Sequence, residues 1–324
     1  MKTVVSCITG CVVLILISAW GFFGHKKINN LAVFTLPPEM IGFYKKNLTY
    51  LTETAVNPDR RRYSVVDEAA RHYIDLDHYG DSALYKMPRR WEEAEALYSE
   101  DTLKSYGIVP WHVYRMYLRL REAFLMRDPQ RVLRMSSEIG HYIGDAHVPL
   151  HTTENYNGQL TGQDGIHGFW ESRLVELYSE EYDFFVGRAK YLPDPQLAIW
   201  DAVIESHLLK DSVLNEEKKL SEKFGDRKFT FETKGRTTVK VYSREYSEAY
   251  HKILRGMVER RMRAAVVMTG SFWYTAWVDA GQPDLDAFIG YEPTEAELEA
   301  RRVELQEWRK KKVDARSHDA DAED

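Results

Sequence analysis

The segment from His141 to Glu171 constrains the fold more than any other part of the chain. His141 and Asp145 lie four residues apart, a spacing that places both side chains on one face of a helix. Pro149 then ends or bends this helix, because proline lacks a backbone N–H and clashes with the preceding turn. The sequence therefore predicts a helix that presents an imidazole and a carboxylate together and stops just after them.

A second pair with the same spacing follows. His151 lies at the predicted break, and residues 155–165 are rich in Asn and Gly, which predicts a loop. His167 and Glu171, again four residues apart, begin the next helical stretch. Imidazole nitrogens and carboxylate oxygens are ligands that zinc takes in proteins. We predict a zinc site here, against the alternative of a polar helix face whose histidines bond to backbone carbonyls.

Composition sets broad limits on the fold and on the ligands. The chain has 324 residues, 44% of them hydrophobic and eight of them Trp, enough to bury a sizeable core. Its formal net charge of −6 gives no global basic field that would attract nucleic acid, although a local basic groove stays open.

The N-terminus predicts export. Residues 1–19 carry a lysine, an apolar run over Val12–Ile17 and a small-residue end, the pattern of a cleaved signal peptide. The run is shorter than the roughly 20 residues of a membrane span, which favours a cleaved signal. An uncleaved anchor is the alternative. Both cysteines, Cys7 and Cys11, lie inside the signal. We expect a periplasmic or secreted protein without disulfides that begins at Trp20.

Apolar residues at helical spacing predict an all-α fold: one multi-helix domain over 20–290 and a charged helical tail over 291–324 with a disordered end. Alternating apolar residues on both sides of Lys234 and Gly235 predict one β-hairpin. A capping box at Thr294 and Glu297 opens the tail helix. The predicted helices are His25–Phe34, Pro38–Leu51, Trp91–Tyr98, Trp111–Met126, Pro129–Gly144, Phe169–Phe185, Gln196–Phe224, Ser247–Val278 and 294–312.

Further ligand candidates lie outside the central segment. A free α-amine and carbonyl at Trp20 can chelate a metal, and His25 is near enough in sequence to complete such a site. The alternative is that His25 only caps a helix near the surface, which is the more common role of a single histidine considered by itself. His147, between Asp145 and Pro149, is expected to point away from the ligands and support them. A loop rich in donors adds His72, Asp75, Asp77 and His78, with Asp59 and Asp67 upstream.

Together these motifs resemble the phospholipase C/P1 nuclease superfamily. They are Trp at the processed N-terminus, Gly24 and His25 shortly after it, H-Y-I-D from His72, H-x3-D-x5-H from His141 and H-x3-E from His167. The resemblance covers about residues 20–290. It implies an all-α domain that holds three zinc ions.

The resemblance also implies a ligand set. The amine and carbonyl of Trp20, with His25, would bind one zinc of a close pair. Asp59, His72 and His141 would hold the second zinc of the pair, and Asp145 would bridge both. His151, His167 and Glu171 would hold the third zinc. Asp59 is placed only by its position 13 residues before His72, and Asp67 is the alternative.

The implied activity is hydrolysis of a phosphodiester. A hydroxide that bridges two zinc ions is available near neutral pH, because the metals lower the pKa of water, and the third zinc neutralises the leaving oxygen. Asp59 and Asp145 are the implied catalytic residues, and either Asp59 or a metal-bound oxygen would steer the attacking water. A zinc-stabilised helical binding protein without turnover is a different class of function.

Members of this superfamily differ in substrate, which is a phospholipid for some and a nucleic acid for others. Glu171 and the absence of cysteines in the mature chain favour a phospholipase C, whereas Tyr73, directly after His72, lies where the nucleases stack a base. The positions of the phospholipase choline pocket correspond to Phe23, Arg60 and Ala69, which do not form such a pocket. We place the chain slightly nearer phospholipase C, with a single-strand nuclease or 3′-nucleotidase as the alternative.

The expected partner is therefore a phosphodiester substrate, either a phospholipid head group or single-stranded nucleic acid. Peripheral contact of the charged tail helix with a membrane stays open, and the sequence indicates no obligate protein partner.

Overall fold

The computed structural model describes residues 22–234, 237–313 and 315–316. Within these ranges the protein is built from helices and one two-stranded hairpin, which confirms the predicted all-α fold. Trp20 and the predicted signal lie outside the described residues. The α-helices are α1 Phe22–Ala32, α2 Pro38–Lys46, α3 Leu48–Glu53, α4 Asn57–Arg61, α5 Ala83–Lys86, α6 Trp91–Tyr98, α7 Glu100–Ser105, α8 Val109–Leu125, α9 Pro129–Ala146, α10 Ile166–Gly168, α11 Leu174–Tyr178, α12 Pro195–Phe224, α13 Arg244–Ile253, α14 Met257–Asp279, α15 Asp286–Ile289 and α16 Glu295–Lys310.

Helix α9 lies at the centre of the protein and packs against α1, α8 and α14. Its start is fixed by Asp128, whose carboxylate accepts a hydrogen bond from the backbone N–H of Arg131 at 2.9 Å, and by Pro129 in the first turn. Every residue over 136–146 is buried. The helix ends just before Pro149, as the sequence predicts, so its last two turns hold polar side chains deep in the protein.

Two glycines on α9 let α1 approach closely. A Cβ atom on Gly140 would lie 1.9 Å from Asn29 Oδ1, and a Cβ atom on Gly144 would lie 2.9 Å from His25 Nδ1. No side chain larger than hydrogen fits at either position without a shift. The close approach places the imidazole of His25 beside the ligand face of α9.

Two predicted helices are divided in the structure. The helix predicted over Pro38–Leu51 breaks at Asn47, whose side-chain amide donates to the Phe43 carbonyl at 2.9 Å. The helix predicted over Ser247–Val278 becomes α13 and α14, because Arg255 and Gly256 adopt positive φ angles of 50° and 74°. A left-handed residue ends an α-helix.

The stretch predicted as a helix over Phe169–Phe185 is also corrected. It opens with one π-helical turn at Phe169–Arg173, continues as α11 and ends at Tyr178. Residues 179–192 continue without a helix over the surface of α14, where the Ser271 hydroxyl accepts from the Lys190 backbone N–H at 3.0 Å.

The hairpin and the C-terminal helix form as predicted. Strands β1 Phe229–Lys234 and β2 Thr237–Tyr242 pair antiparallel. The capping box is present at the start of α16, and this helix packs back on the body: Arg134 and Glu304 form a 2.7 Å ion pair. Among the described helices, none combines the length and apolar character that crossing a bilayer requires.

Candidate metal centre

The eight predicted ligand side chains that the structure describes come together in three groups. Within each group the ligand atoms lie within 4.8 Å of one another, and the first two groups share His141. Seven of these side chains are buried, and that of Asp59 is 13% exposed. The groups are His25, His141 and Asp145; Asp59, His72 and His141; and His151, His167 and Glu171.

Asp145 lies between the first two groups and faces both. Its Oδ1 is 3.4 Å from His25 Nε2, and its Oδ2 is 3.0 Å from His72 Nδ1. Oδ2 is also 3.4 Å from His141 Nε2, one helical turn earlier on α9. A carboxylate that directs one oxygen to each group has the geometry of a bridging ligand.

The second group draws Asp59 from α4. Asp59 Oδ1 lies 3.4 Å from His141 Nε2 and 3.6 Å from His72 Nδ1. Asp67, the alternative from the sequence, instead pairs with Lys104 at 2.8 Å, and its side chain is 40% exposed. The structure thus brings Asp59 to the ligand cluster and leaves Asp67 outside it.

The third group forms around Glu171. Its Oε2 lies 2.8 Å from His167 Nε2 and 3.2 Å from His151 Nε2. Its Oε1 lies 3.2 Å from His25 Nε2, so this carboxylate connects the third group to the first. Glu171 lies in the π-helical turn that follows α10, and such turns occur often at functional sites.

Neighbouring groups orient the imidazoles. The Nδ1–H of His151 donates to the carbonyl oxygen of His72 at 2.6 Å, which fixes its tautomer and directs Nε2 to the third group. His72 Nε2 lies 3.8 Å from Glu68 Oε1, while its Nδ1 faces Asp145. Outer contacts of this kind are typical of metal-binding histidines.

Burial keeps two of the histidines neutral. It lowers the pKa of His72 to about 3, against the raising effect of Glu68, and it lowers the pKa of His151 to about 4, against the raising effect of Glu171. A neutral imidazole has a lone pair available for a metal ion. His25 differs, because the hydrogen bond to Glu171 and the nearby carboxylates overcome burial and raise its pKa to about 9.

The carboxylates require added positive charge. Burial raises the pKa of Asp145 well above its usual range. His25 opposes this shift, whereas the carboxylates of Asp59 and Glu171 add to it. Glu171 differs, because His151, His167 and His25 overcome burial and hold its pKa well below its usual range. Asp145 can ionise beside this charged carboxylate only with further positive charge close by. The donor set of imidazoles and crowded carboxylates therefore fits divalent metal ions.

Other candidates from the sequence lie outside the three groups. The Nδ1–H of His147 donates to the Ile143 carbonyl at 2.7 Å, and its own carbonyl accepts from Arg261 Nε at 3.0 Å. Asp77 accepts from the Thr153 hydroxyl at 2.5 Å and orders the loop after His151.

Tyr73 lies beside the site, but its ring is covered. The side chain is buried, and its hydroxyl donates to the Ser105 carbonyl at 3.3 Å. The guanidinium carbon of Arg316 lies 4.0 Å from the ring centre. Sequence reasoning missed Arg316, because nothing in a polar C-terminal segment indicates where it docks.

Comparisons with known proteins identify only a distant structural likeness. No protein-family model and no curated protein matches the chain. The alpha-toxin of Clostridium perfringens, isolated from an avian strain, is a solved structure similar to it, with 11% sequence identity and a TM-score of 0.46. The match covers 83% of this chain and 66% of the toxin chain, slightly less than two thirds of the toxin's length. This likeness is one of overall structure and carries no activity to this chain.

Proposed function

We propose that this protein is an exported, zinc-dependent phosphodiesterase of the phospholipase C type that holds three zinc ions. The observation that carries the proposal is the position of Asp145, which directs one carboxylate oxygen to His25 and the other to His72 and His141. Shared carboxylates between adjacent ligand groups are the arrangement that a multinuclear hydrolytic centre requires.

Each group has an assigned role in the proposal. His25 and Asp145 would hold the first zinc, together with the amine and carbonyl of Trp20, which lies outside the described residues. Asp59, His72, His141 and Asp145 would hold the second. His151, His167 and Glu171 would hold the third. Bound zinc supplies Lewis acidity and lowers the pKa of a coordinated water toward neutrality.

The chain's own residues position the reactants. Asp59 has the most exposed side chain of the eight ligands, 13% against 7% or less for the others, so it is the carboxylate best placed to meet incoming water. It accepts a hydrogen bond from the attacking water and orients that water toward phosphorus. The imidazole of His151 is held in place, because its other ring nitrogen donates to a backbone carbonyl.

A non-catalytic zinc protein is the less favoured function. Structural zinc sites are closed, with four protein ligands around one ion. Here His141 belongs to two groups, and Glu171 faces both His25 and His167. A closed structural site needs no such sharing, and the third group supplies three side chains, which leaves a coordination position for water or substrate.

A single-strand nuclease or 3′-nucleotidase is the second candidate function. The observation that favours it is the position of Tyr73, whose ring borders the site directly after His72, where an aromatic face could stack a nucleobase. The identity of Glu171 and the absence of cysteines after Cys11 favour the phospholipase.

The deciding experiment is a parallel assay of the zinc-loaded chain beginning at Trp20. Phosphatidylcholine vesicles, single-stranded DNA and a 3′-nucleotide are tested under one set of conditions. We expect hydrolysis of one class, loss of activity with a chelator and recovery with added zinc. A chain that carries three zinc ions and hydrolyses none of the three substrates would contradict the proposed activity.

In this proposal, removal of the signal peptide is required for Trp20 to bind zinc. Its nitrogen can bind zinc only after signal cleavage, because an amide nitrogen has its lone pair delocalised into the carbonyl. We expect exported protein to begin at Trp20 on N-terminal sequencing, and one extra Ala before Trp20 to remove most activity without unfolding the chain. Full activity of the extended chain would remove the amine from the ligand set.

A further inference from the structure

The guanidinium of Arg316 is held in a built pocket. Its carbon lies 4.0 Å from the ring centre of Tyr73 and 3.8 Å from that of Tyr156. Its Nη1 donates to both oxygens of Asp75 at 2.9 and 2.7 Å, and its Nη2 donates to the Thr153 carbonyl at 3.3 Å. We call the pocket formed by Tyr73, Tyr156 and Asp75 the tyrosine cleft.

The tyrosine cleft borders the third ligand group. Tyr73 follows His72 directly, and the Tyr156 ring lies edge-on to the ring of His167 with centroids 5.9 Å apart. The backbone N–H of Ile74 donates to the carbonyl of His151 at 2.9 Å, which ties the backbone beside Tyr73 to that of a ligand in the third group. Whatever occupies the cleft therefore lies beside the proposed zinc site.

The C-terminal segment reaches the cleft by crossing the residues that follow α4. After α16 ends, the Ser64 hydroxyl donates to the Lys311 carbonyl at 3.0 Å, and the Val313 N–H donates to the Tyr63 carbonyl at 2.6 Å. Arg62 Nε then donates to the Arg316 carbonyl at 3.4 Å. We call residues 311–313 and 315–316 the strap.

The contact of Arg316 with Asp75 is not an ordinary surface ion pair. The side chains are 17% and 5% exposed, so both charges are largely removed from water. Burial raises the pKa of Asp75 to about 6, although Arg316 opposes this rise. The cleft thus holds a buried carboxylate that needs a cationic or N–H-donating partner, and in this structure the chain provides one itself.

We propose that the strap is an internal ligand: Arg316 fills the tyrosine cleft and must leave before a substrate group can stack on Tyr73. This rests in one respect on the second candidate function, the nuclease, in which Tyr73 contacts the substrate. A protein whose binding-competent state is only partly populated shows an affinity reduced by that fraction. The strap should therefore raise KM and leave kcat nearly unchanged.

The first test compares two full-length variants. Arg316→Gln removes the guanidinium, and Lys312→Gln removes an exposed charge from the same strap as a matched control. Kinetics are measured with a fluorogenic single-stranded DNA oligomer and with a soluble short-chain phosphatidylcholine. If Arg316 occupies the cleft for roughly 80–90% of the time, KM of Arg316→Gln for the substrate that stacks on Tyr73 should fall about five- to tenfold. Lys312→Gln should match the unmodified chain.

Two results of this test would overturn the proposal. An unchanged KM in Arg316→Gln would mean that the strap does not compete, and a raised KM would mean that Arg316 helps to bind substrate. Arg316→Lys keeps the charge without the planar group and should give an intermediate KM. Thermal unfolding of each variant shows whether any kinetic change comes from loss of folding.

The second test needs no hydrolysis, so it separates this proposal from the proposed function. A chain ending after Lys310 keeps α16 and lacks the strap, and a fluorescent peptide of residues 311–324 is added in solution. We expect saturable binding by fluorescence anisotropy, weakened at least fivefold by Arg316→Gln in the peptide. Equal binding of both peptides would overturn the proposal even if the enzyme is active. If neither substrate is hydrolysed while binding depends on Arg316, only the proposed function fails.

Discussion

Gly144→Ala probes how α9 positions His25. A Cβ atom at this position would lie 2.9 Å from His25 Nδ1, 3.2 Å from its Cε1 and 3.4 Å from Ile28 Cδ1. Carbon contacts are favourable at about 3.5–4.0 Å, so the imidazole must move by roughly half an ångström. Metal sites tolerate deviations of only about 0.2 Å in ligand distance. We expect zinc affinity at the first group to fall about 10- to 100-fold, as for loss of an outer supporting contact.

The free energy of unfolding should fall by about 0–2 kcal/mol, because two contributions oppose each other. Alanine favours a helix interior over glycine by about 0.8–1.0 kcal/mol, whereas an extra methyl in a packed core costs about 1–3 kcal/mol. Gly42→Ala in α2 is the matched control, since its Cβ would lie 3.5 Å from Ile289 Cδ1, an ordinary contact. It should leave zinc affinity unchanged and raise the free energy of unfolding by up to about 1 kcal/mol.

The assay is calorimetric zinc titration against a competing chelator, with hydrolysis measured on the same samples. The expected result is one weakened site in Gly144→Ala and none in Gly42→Ala. Wild-type zinc affinity together with wild-type activity in Gly144→Ala would refute the reasoning, because His25 would then not need the position that the structure gives it.

Three further changes test separate parts of the account. Asp145→Asn should abolish hydrolysis while His147→Ala retains much of it; equal losses would mean that the ligands on α9 are wrongly chosen. If the protein is a nuclease, Tyr73→Ala should slow turnover of single-stranded DNA about tenfold or more, and more than turnover of phospholipid, since stacking contributes about 1–3 kcal/mol per base. An unchanged rate on DNA would favour the lipid substrate. Glu217→Gln should lower the free energy of unfolding at pH 7 by about 1–3 kcal/mol, measured by urea denaturation, because it leaves the half-buried Lys228 without its partner.

The loss of stability in Glu217→Gln should depend on pH. Burial alone would raise the pKa of this carboxyl, but Lys228, Tyr246 and Gln163 lower it below its ordinary value. A lowered pKa in the folded state adds stability above the unfolded pKa of about 4.3, and this stability is lost as pH falls through the folded pKa. The deficit of Glu217→Gln should therefore shrink in acid. The exposed Glu222→Gln on the same helix should show no deficit at either pH.

Sequence alone predicts much of this helical fold, where local signals act. Trp91–Tyr98 forms with the predicted bounds, and the capping box at Thr294 opens α16 as expected. The break between α13 and α14 was missed, because Gly256 in an apolar helical pattern does not reveal that Arg255 also takes a positive φ. Local patterns indicate a helix more reliably than its interruption.

In the candidate site too, the sequence predicts local contacts and misses tertiary ones. His141 and Asp145 are brought together by helical spacing, which the sequence displays directly. The approach of His25 to this pair depends on the missing side chain of Gly144, a tertiary property with only a glycine as its signal. The docking of Arg316 on Asp75 joins residues 241 positions apart, and no periodicity predicts such a contact.

Zinc stoichiometry tests the central claim most directly. Protein that begins at Trp20, loaded with zinc and dialysed against metal-free buffer, is measured by elemental analysis beside His167→Ala, which removes one ligand of the third group alone. The account predicts three zinc ions per chain and two in His167→Ala. One ion or none in the unmodified protein would contradict it.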